Sequence, residues 1–488
     1  MTPSREIEKL EPQSVWQNFR SLTQIPRPSG KRDEITNFLV DFGNKLNLTT
    51  FVDDAGNVII RKPATKGMEN RKGVILQAHM DMVPQKNATT THDFEKDPID
   101  AFIDGEWVRA NHTTLGADNG IGLAATMSVL QATNLEHGPI EALFTADEET
   151  GMFGAIGLKN GTVQGEILLN LDSEEEGELY VGCAGGIDAT ITFPYQQEPV
   201  YHGDIAYKIS LTGLHGGHSG LDINMGRGNA NKLLFRLLKM AVATCEARLA
   251  SYEGGNLRNA ITREAFAVVT IPEEERTNFL NLVAQTEAIF KTEYAFADPG
   301  LTITAEETTI PEGLLPEMTQ DDLINGVTAC HNGVLRNIPE MPEIVETSSN
   351  LAIVKTTPTT VTINILIRSS VESMKEELCS IVESTFMLAG AKVEFSGGYP
   401  GWQPRFDSPI LQTMKEVYKT LYNATPEVKV IHAGLECGII GAAIPGLDMI
   451  SFGPTISHPH SPDEKVHIAS VNKFWNYLVT ALEKTPVK

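Results

Sequence analysis

The sequence predicts an α/β protein, a mixed sheet with helices on both faces, interrupted by an inserted α+β domain. Short apolar runs ending in acidic or imidazole residues, "GVILQAHMD", "IEALFTADEE" and "GEILLNLDSEE", alternate with helical segments such as "NGIGLAATMSVLQAT". That is the texture of buried strands connected by helices. It returns at "LDMISFG" and in a helix over about 468–484. From about 187 to 397 the strands instead alternate polar and apolar residues, as half-exposed antiparallel strands do. One outer domain is therefore expected from 1–186 and 400–488, with 187–399 inserted between its parts.

Taken in order, residues 11–46 are helical in pattern with a break at "IPRPSGKRDE", where Ser29 or Gly30 is a candidate start for the second helix. The "SGK" there follows no strand and lacks the glycine spacing of a phosphate loop, so it reads as a turn. Strands follow at 73–81, 140–149 and 165–175, with helices at 119–133 and 151–160. In the insertion, "DIAYKISLTG", "EAFAVVTI", "TVTINILIRSS" and "AKVEFSG" read as strands, and 229–243, 272–291, 321–335 and 371–388 as helices. A helix-strand-strand-helix-strand order occurs twice, which predicts two related halves.

Composition narrows the function. A chain of 488 residues exceeds one ordinary core, so two domains of roughly 150 to 300 residues are expected. A formal net charge of −24 repels polyanions, which disfavours nucleic acid as a partner and favours a small substrate. The start lacks a basic and then apolar leader, and no run of 18 or more apolar residues occurs; a cytoplasmic protein without a membrane partner is the expectation. Cys183, Cys245, Cys330, Cys379 and Cys437 are scattered and odd in number, so they read as reduced, mostly buried thiols. Neither a G-x-S-x-G elbow nor a paired Cys-His motif is present, which disfavours serine and cysteine hydrolases.

The chemistry lies at the strand ends. His79 and Asp81 close one strand, Glu148 and Glu149 another, and Asp172 a third; Asp118 precedes a helix in "TTLGADNGIG" and His460 lies in "SHPHSPDE". The carboxyl ends of strands in an open α/β sheet form one rim, so these groups can converge. A lone carboxylate at a strand end is usually a solvated cap, and a lone buried histidine usually satisfies a carbonyl; repetition on successive strands points to metal. Clustered carboxylates cannot all ionise without a counter-charge, and two imidazoles among carboxylates suit zinc, manganese or cobalt better than calcium. Two zinc ions are balanced by Asp118, Glu149, Asp172 and one hydroxide. Asp81, two residues after His79, is placed to orient the imidazole, and Glu148 to take a proton from water. Asp147 reads as facing solvent, and Glu174, Glu175 and Glu176 as solvated charge.

The stretches "HMDMVP", "GADNGIG", "DEETGMFGA" and "LDSEE" resemble, in order and over essentially the whole chain, the motifs of the co-catalytic zinc metallopeptidases, a family with aminoacylase, carboxypeptidase and dipeptidase members. "GLHGGHSGLDI" and "GPTISHPHSPDEKV" narrow the resemblance to the dipeptidase members. It implies two divalent ions held by His79, Asp118, Glu149, Asp172 and His460, with Asp118 bridging, Asp81 orienting and Glu148 as general base; His458 stays an alternative to His460. It implies that the insertion is a lid, in which His218 reaches the oxyanion, Asn259 and Arg368 hold the substrate's backbone and C-terminal carboxylate, and the Gly434 loop adds backbone contacts. From the residues alone, "GLHGGHSG" is a glycine-rich turn in which His215 and His218 cap the backbone, and Arg368 on its alternating strand reads as readily as a surface ion pair as it does as a binding group. Smaller members dimerise through a single lid half, so a homodimer is one expectation, with His218 acting in its own chain or across subunits. The implied activity is hydrolysis of unblocked dipeptides, Xaa-His and β-alanyl-histidine among them. A tripeptidase, an N-acyl amino acid deacylase and a metal-free peptide-binding protein are the alternatives.

Overall fold

A computed structural model describes residues 5–488. Its mixed α/β architecture is the expected one, and the chain divides into two compact units. The first runs to Gly182 and resumes at Trp402–Val430 and Leu435–Lys488; the second comprises Cys183–Gly401 and the short segment Ile431–Gly434.

The first unit is built on an eight-stranded sheet in the order Thr49–Val52, Val58–Lys62, Ile140–Thr145, Val74–His79, Ile167–Asn170, Asp448–Ser451, Glu178–Cys183, Glu427–Ile431. Val74–His79 runs parallel to both Ile140–Thr145 and Ile167–Asn170, which in turn parallels Asp448–Ser451. Every residue of the first three is buried, which is why each reads as a continuous apolar run. The helix Ala117–Gln131 is buried nearly all round, whereas Gln13–Leu22, Pro409–Tyr422 and Ile468–Glu483 bury one face each. A smaller sheet orders Ile456–Ser457, Lys465–His467, Trp107–Ala110 and Ala101–Asp104. It pairs the hairpin around His460 with the strand leading to Asp118.

The second unit holds a nine-stranded antiparallel sheet over one apolar core. Asp204–Thr212, Ala230–Cys245, Arg248–Gly254, Ala265–Pro272, Arg276–Glu293 and Thr302–Thr308 follow a β-α-β-β-α-β order. Gly185–Pro194, Glu317–Ala329, Met341–Thr356, Thr360–Ser369, Glu372–Leu388 and Lys392–Tyr399 repeat it, with the first set inserted after the opening strand of the second. In both, the fourth strand lies beside the first, then the third, then the second, the split βαβ arrangement. The halves join through their second strands, at Glu253 opposite Lys355 and Gly254 opposite Val354.

Three local expectations are corrected. The second helix begins at Asp33 rather than at Ser29 or Gly30, because the Ser29 hydroxyl and Gly30 N–H are engaged by Asp81 and Asp147. The helix expected over 151–160 is only Phe153–Gly157. The helix expected over 321–335 ends at Ala329, and Gly333–Ile338 is a strand; Asn332-Gly333, with Gly333 at φ +100°, is a stop signal that lies two residues before the expected end.

Candidate metal centre

Asp118 stands where two groups of potential ligands meet. Its Oδ1 lies 3.0 Å from Nε2 of His79, and its Oδ2 lies 3.1 Å from Nε2 of His460. Asp172 Oδ1 is 3.4 Å from the same His79 nitrogen, and Glu149 Oε2 is 3.0 Å from the same His460 nitrogen. His79, Asp118 and Asp172 therefore form one cation-sized group of donors, and Asp118, Glu149 and His460 a second. Glu148 joins His79 and Glu149 in a third. His458 belongs to none of these groups and is exposed.

The backbone explains the convergence. Val74–His79 and Ile140–Thr145 are adjacent parallel strands, and Met80 N–H bonds to the Thr145 carbonyl, so the segments leaving them emerge side by side. Asp118 and Asn119 have non-helical φ/ψ at the start of the helix Ala117–Gln131, after Gly116 at φ +70° turns the chain, a conformation that glycine takes without strain. The Asn119 amide bonds to the Asp172 carboxylate and to the Leu171 carbonyl.

Electrostatics fits a cation site. Burial alone would lower the pKa of His79, but the Asp172 charge and hydrogen bonds donated to Asp118, Asp172 and Asp81 hold it well above the ordinary imidazole value. Hydrogen bonds to Asp118 and Glu149 likewise raise His460 to about 11. Burial opposes ionisation of Asp118, yet contacts with His460 and His79 keep it below the usual carboxylate range. Glu148 is pushed well above its ordinary value by burial, and by Asp172, Glu436 and Glu149 against the opposing charge of His79. The carboxylates thus draw positive charge onto the two imidazoles, and among the described residues buried Glu149 Oε1 has no hydrogen-bond partner. Divalent ions would take over both tasks, so the donor set fits them.

Asp81 lies just beyond its strand. His79 Nδ1 is 3.1 Å from the Asp81 main-chain oxygen and 3.5 Å from its carboxylate. That carboxylate accepts from the Ser29 hydroxyl at 2.7 Å and from the N–H groups of Glu148 and Glu149 at 3.0 and 3.3 Å. Burial would raise its pKa, but His79 and these donors hold it at about 2.

Two expectations about charge are overturned. Asp147 is buried, not facing solvent, and accepts from Gly30 N–H at 2.6 Å and Arg32 at 3.1 Å. Of the three glutamates after Asp172 only Glu175 is exposed; burial lifts Glu174 to about 8, and Glu176 accepts from Tyr418 and Lys473.

Sequence reasoning missed the groups that hold the frame. Glu464 accepts from four consecutive N–H groups, Leu115 to Asp118, at 2.7 to 3.2 Å, and burial nevertheless lifts it to about 7. Arg27 donates to the carbonyls of Met80, Asp81 and Gly116. Glu436 Oε2 accepts from Gln77 at 2.6 Å and Thr145 at 2.8 Å. Glu464 sits inside the "PHSPDE" stretch, four residues after His460, so the stretch itself carried a signal; Arg27 and Glu436 had none beyond their charge in apolar surroundings.

The expected lid residues all belong to the second unit. Arg368 is 6% exposed and donates from Nε to Ser219 Oγ at 3.4 Å and from Nη1 to Tyr399 OH at 3.0 Å. It is no surface ion pair: among the described residues no carboxylate lies within 4.0 Å of it. His218 Nδ1 accepts from Gly220 and Leu221 N–H at 3.2 and 3.1 Å, the backbone capping that the residues alone had indicated. Its Nε2 therefore carries the proton of the neutral ring, and burial followed by the Arg368 charge lowers its pKa. Asn259 is exposed, its carbonyl accepting from Ser219 N–H at 2.8 Å, and Gly434 packs beside the Tyr399 ring.

An α/β unit whose strand ends gather two cation-sized donor groups around one aspartate defines a metallohydrolase centre. The chain belongs to peptidase family M20/M25/M40, whose model matches residues 75–484, and it is a peptide hydrolase. It is similar to the cytosol non-specific dipeptidase of Escherichia coli, at 46% identity over 483 residues, 99% of this chain and 100% of the relative. The crystal structure of aminoacylhistidine dipeptidase from Vibrio alginolyticus matches with a TM-score of 0.96 and 46% identity over 99% of both chains. Aminopeptidase PepT from Bacillus cereus shares the fold, with a TM-score of 0.58 at 17% identity over 98% of this chain and 99% of the other.

Proposed function

We propose that this peptidase is a dipeptidase that hydrolyses unblocked dipeptides, Xaa-His among them, at a centre of two divalent cations. The observation that carries this is the sharing of Asp118 between two His-carboxylate groups, in a chain 46% identical to a dipeptidase over its full length. His79 and Asp172 would hold one cation and Glu149 and His460 the other, with Asp118 serving both. Bound there, the cations would supply Lewis-acid charge and make water acidic enough to ionise near neutral pH. Zinc suits two imidazoles among carboxylates, with cobalt or manganese as substitutes.

The chain's own groups divide the remaining work. Asp81 orients His79 and binds the N–H groups of both glutamates. Glu148, whose raised pKa suits proton transfer, takes the proton of the attacking water and delivers it to the leaving amine. In the second unit, which serves as the lid, the His218 Nε2–H donates to the developing oxyanion. Arg368, charged and held among the described residues by the hydroxyls of Ser219 and Tyr399, grips the C-terminal carboxylate that every dipeptide carries. Asn259 and the Gly434 backbone contact the peptide between them. A cytosolic location accords with the name of the Escherichia coli relative and with five scattered cysteines, four of them buried.

Chelated enzyme reconstituted with zinc, cobalt or manganese, then offered a free dipeptide, its N-acetyl form and a tripeptide, tests the reading. Metal-dependent turnover of the free dipeptide alone is expected. Preference for the acetylated form or the tripeptide would make the chain a deacylase or tripeptidase instead, and turnover without metal would overturn the centre.

A further inference from the structure

Arg368 owes its direction to a device in the neighbouring strands. Ser348, Arg368 and Gly186 are register partners on adjacent strands, and Tyr399 is opposite Gly186 on the next. The four residues make one rung on one face of the sheet. Tyr399 is there because of a bulge: Ser396 pairs with Asp188 and Tyr399 with Gly186, three steps along one strand against two along the other. Without the extra residue Gly398 would occupy the position; a one-residue slip exchanges the faces of a strand, and bulges re-aim side chains in this way. Gly397, at φ +64°, lies within the bulge.

Between Arg368 and Tyr399 the sheet carries no side chain. A Cβ at Gly186 would lie 2.7 Å from the Tyr399 oxygen and 2.8 Å from Cζ, and one at Gly434 would lie 3.0 Å from Cε2. The phenol thus folds across a glycine to meet the guanidinium, in space bounded by a second glycine. Lys375, itself buried, donates to the Tyr399 main-chain oxygen at 2.8 Å and fixes the strand there. A neutral oxygen orients Arg368 without cancelling its charge, which a carboxylate in the same place would do.

We propose that Tyr399 is a positioning residue: its hydroxyl, held over Gly186, aims the Arg368 guanidinium so that the enzyme selects peptides with a free C-terminal carboxylate. This rests on Arg368 being the carboxylate reader. The test compares a free dipeptide with its C-terminal amide in wild type, Tyr399→Phe, Gly186→Ala, Arg368→Lys and the Tyr399→Phe/Arg368→Lys double variant, with melting temperature and metal content measured alongside. Tyr399→Phe keeps the ring and removes only the acceptor. KM for the free dipeptide should rise about tenfold, the size of one hydrogen bond to a charged group, with little change in kcat or in KM for the amide. Gly186→Ala should push the phenol aside and reproduce the defect, and Tyr399→Phe should add nothing in the Arg368→Lys background. Equal KM changes for dipeptide and amide, or none, would mark Tyr399 as merely structural and overturn the proposal. If Arg368→Lys loses the preference for the free carboxylate while Tyr399→Phe keeps it, the reading of Arg368 stands and the role of Tyr399 falls. If wild type treats both substrates alike, both fall.

Discussion

The two units assemble their functional groups by opposite electrostatic logic. In the first, Asp118, Glu149, Asp172 and Glu148 crowd two imidazoles and raise their pKa values, an arrangement that calls for positive charge. In the second, Arg368 lies buried without a carboxylate, beside His218 and His432, whose pKa values are lowered by burial and by the Arg368 charge, His432 to about 3. That arrangement lacks negative charge. On the proposed reading the first unit receives cations and the second an anion, and both hold desolvated, incompletely paired groups.

The comparison breaks first at Asp118. Asp118→Ala removes the carboxylate common to both donor groups, so both ions and nearly all activity should be lost; elemental analysis that still finds two ions per chain would refute the shared role. Glu148→Gln should keep both ions yet lower kcat by about 10² to 10⁴, as expected for a general base, whereas loss of metal equal to that in Glu149→Gln would contradict the division between the two residues. In the second unit, His218→Ala should leave metal content unchanged and lower kcat by about 10²- to 10³-fold, the cost of one oxyanion donor; a fall in metal content there would contradict the role of His218 as an oxyanion donor alone.

The smallest effect belongs to Glu436. Burial, aided by the charges of Asp172 and Asp81 and opposed by that of His79 and the Thr145 hydrogen bond, lifts its carboxyl from 4.5 to about 8, so the folded state prefers it protonated. That contribution to stability is complete below pH 4.5 and is lost as pH rises through about 8. Glu436→Gln should therefore flatten the pH dependence of melting temperature in metal-free protein across that window, and an unchanged slope would place the titration elsewhere.

The sequence disclosed the first unit better than the second. Parallel strands buried on both faces announce themselves as apolar runs, and whatever polar group ends such a run stands out, which is how His79, Glu149 and Asp172 were found. Asp147 was misjudged because its partners, Gly30 and Arg32, are 117 and 115 residues away. Glu464 and Arg27 escaped because their partners are backbone groups, which no side-chain pattern reveals. In the second unit Arg368 sits on an alternating strand like many others, and only the family resemblance marked it. Tyr399 depends on a bulge and on glycines in other segments, features that appear only once strands are paired.

The hairpin that carries His460 imposes an order on how the protein matures. His460 and Asp118 are 342 residues apart in sequence, and Glu464, in the same segment, gathers the N–H groups of Leu115 to Asp118. During synthesis the ribosome delivers His79, Asp118, Glu149 and Asp172 long before it delivers this segment. Of the proposed ligands, a nascent chain can therefore offer one imidazole, His79, and an aspartate loop that Glu464 has not yet gathered. With the proposed ligand set, loading of both cations would be a late event, and hydrolytic competence would wait until the carboxyl-terminal hairpin has docked.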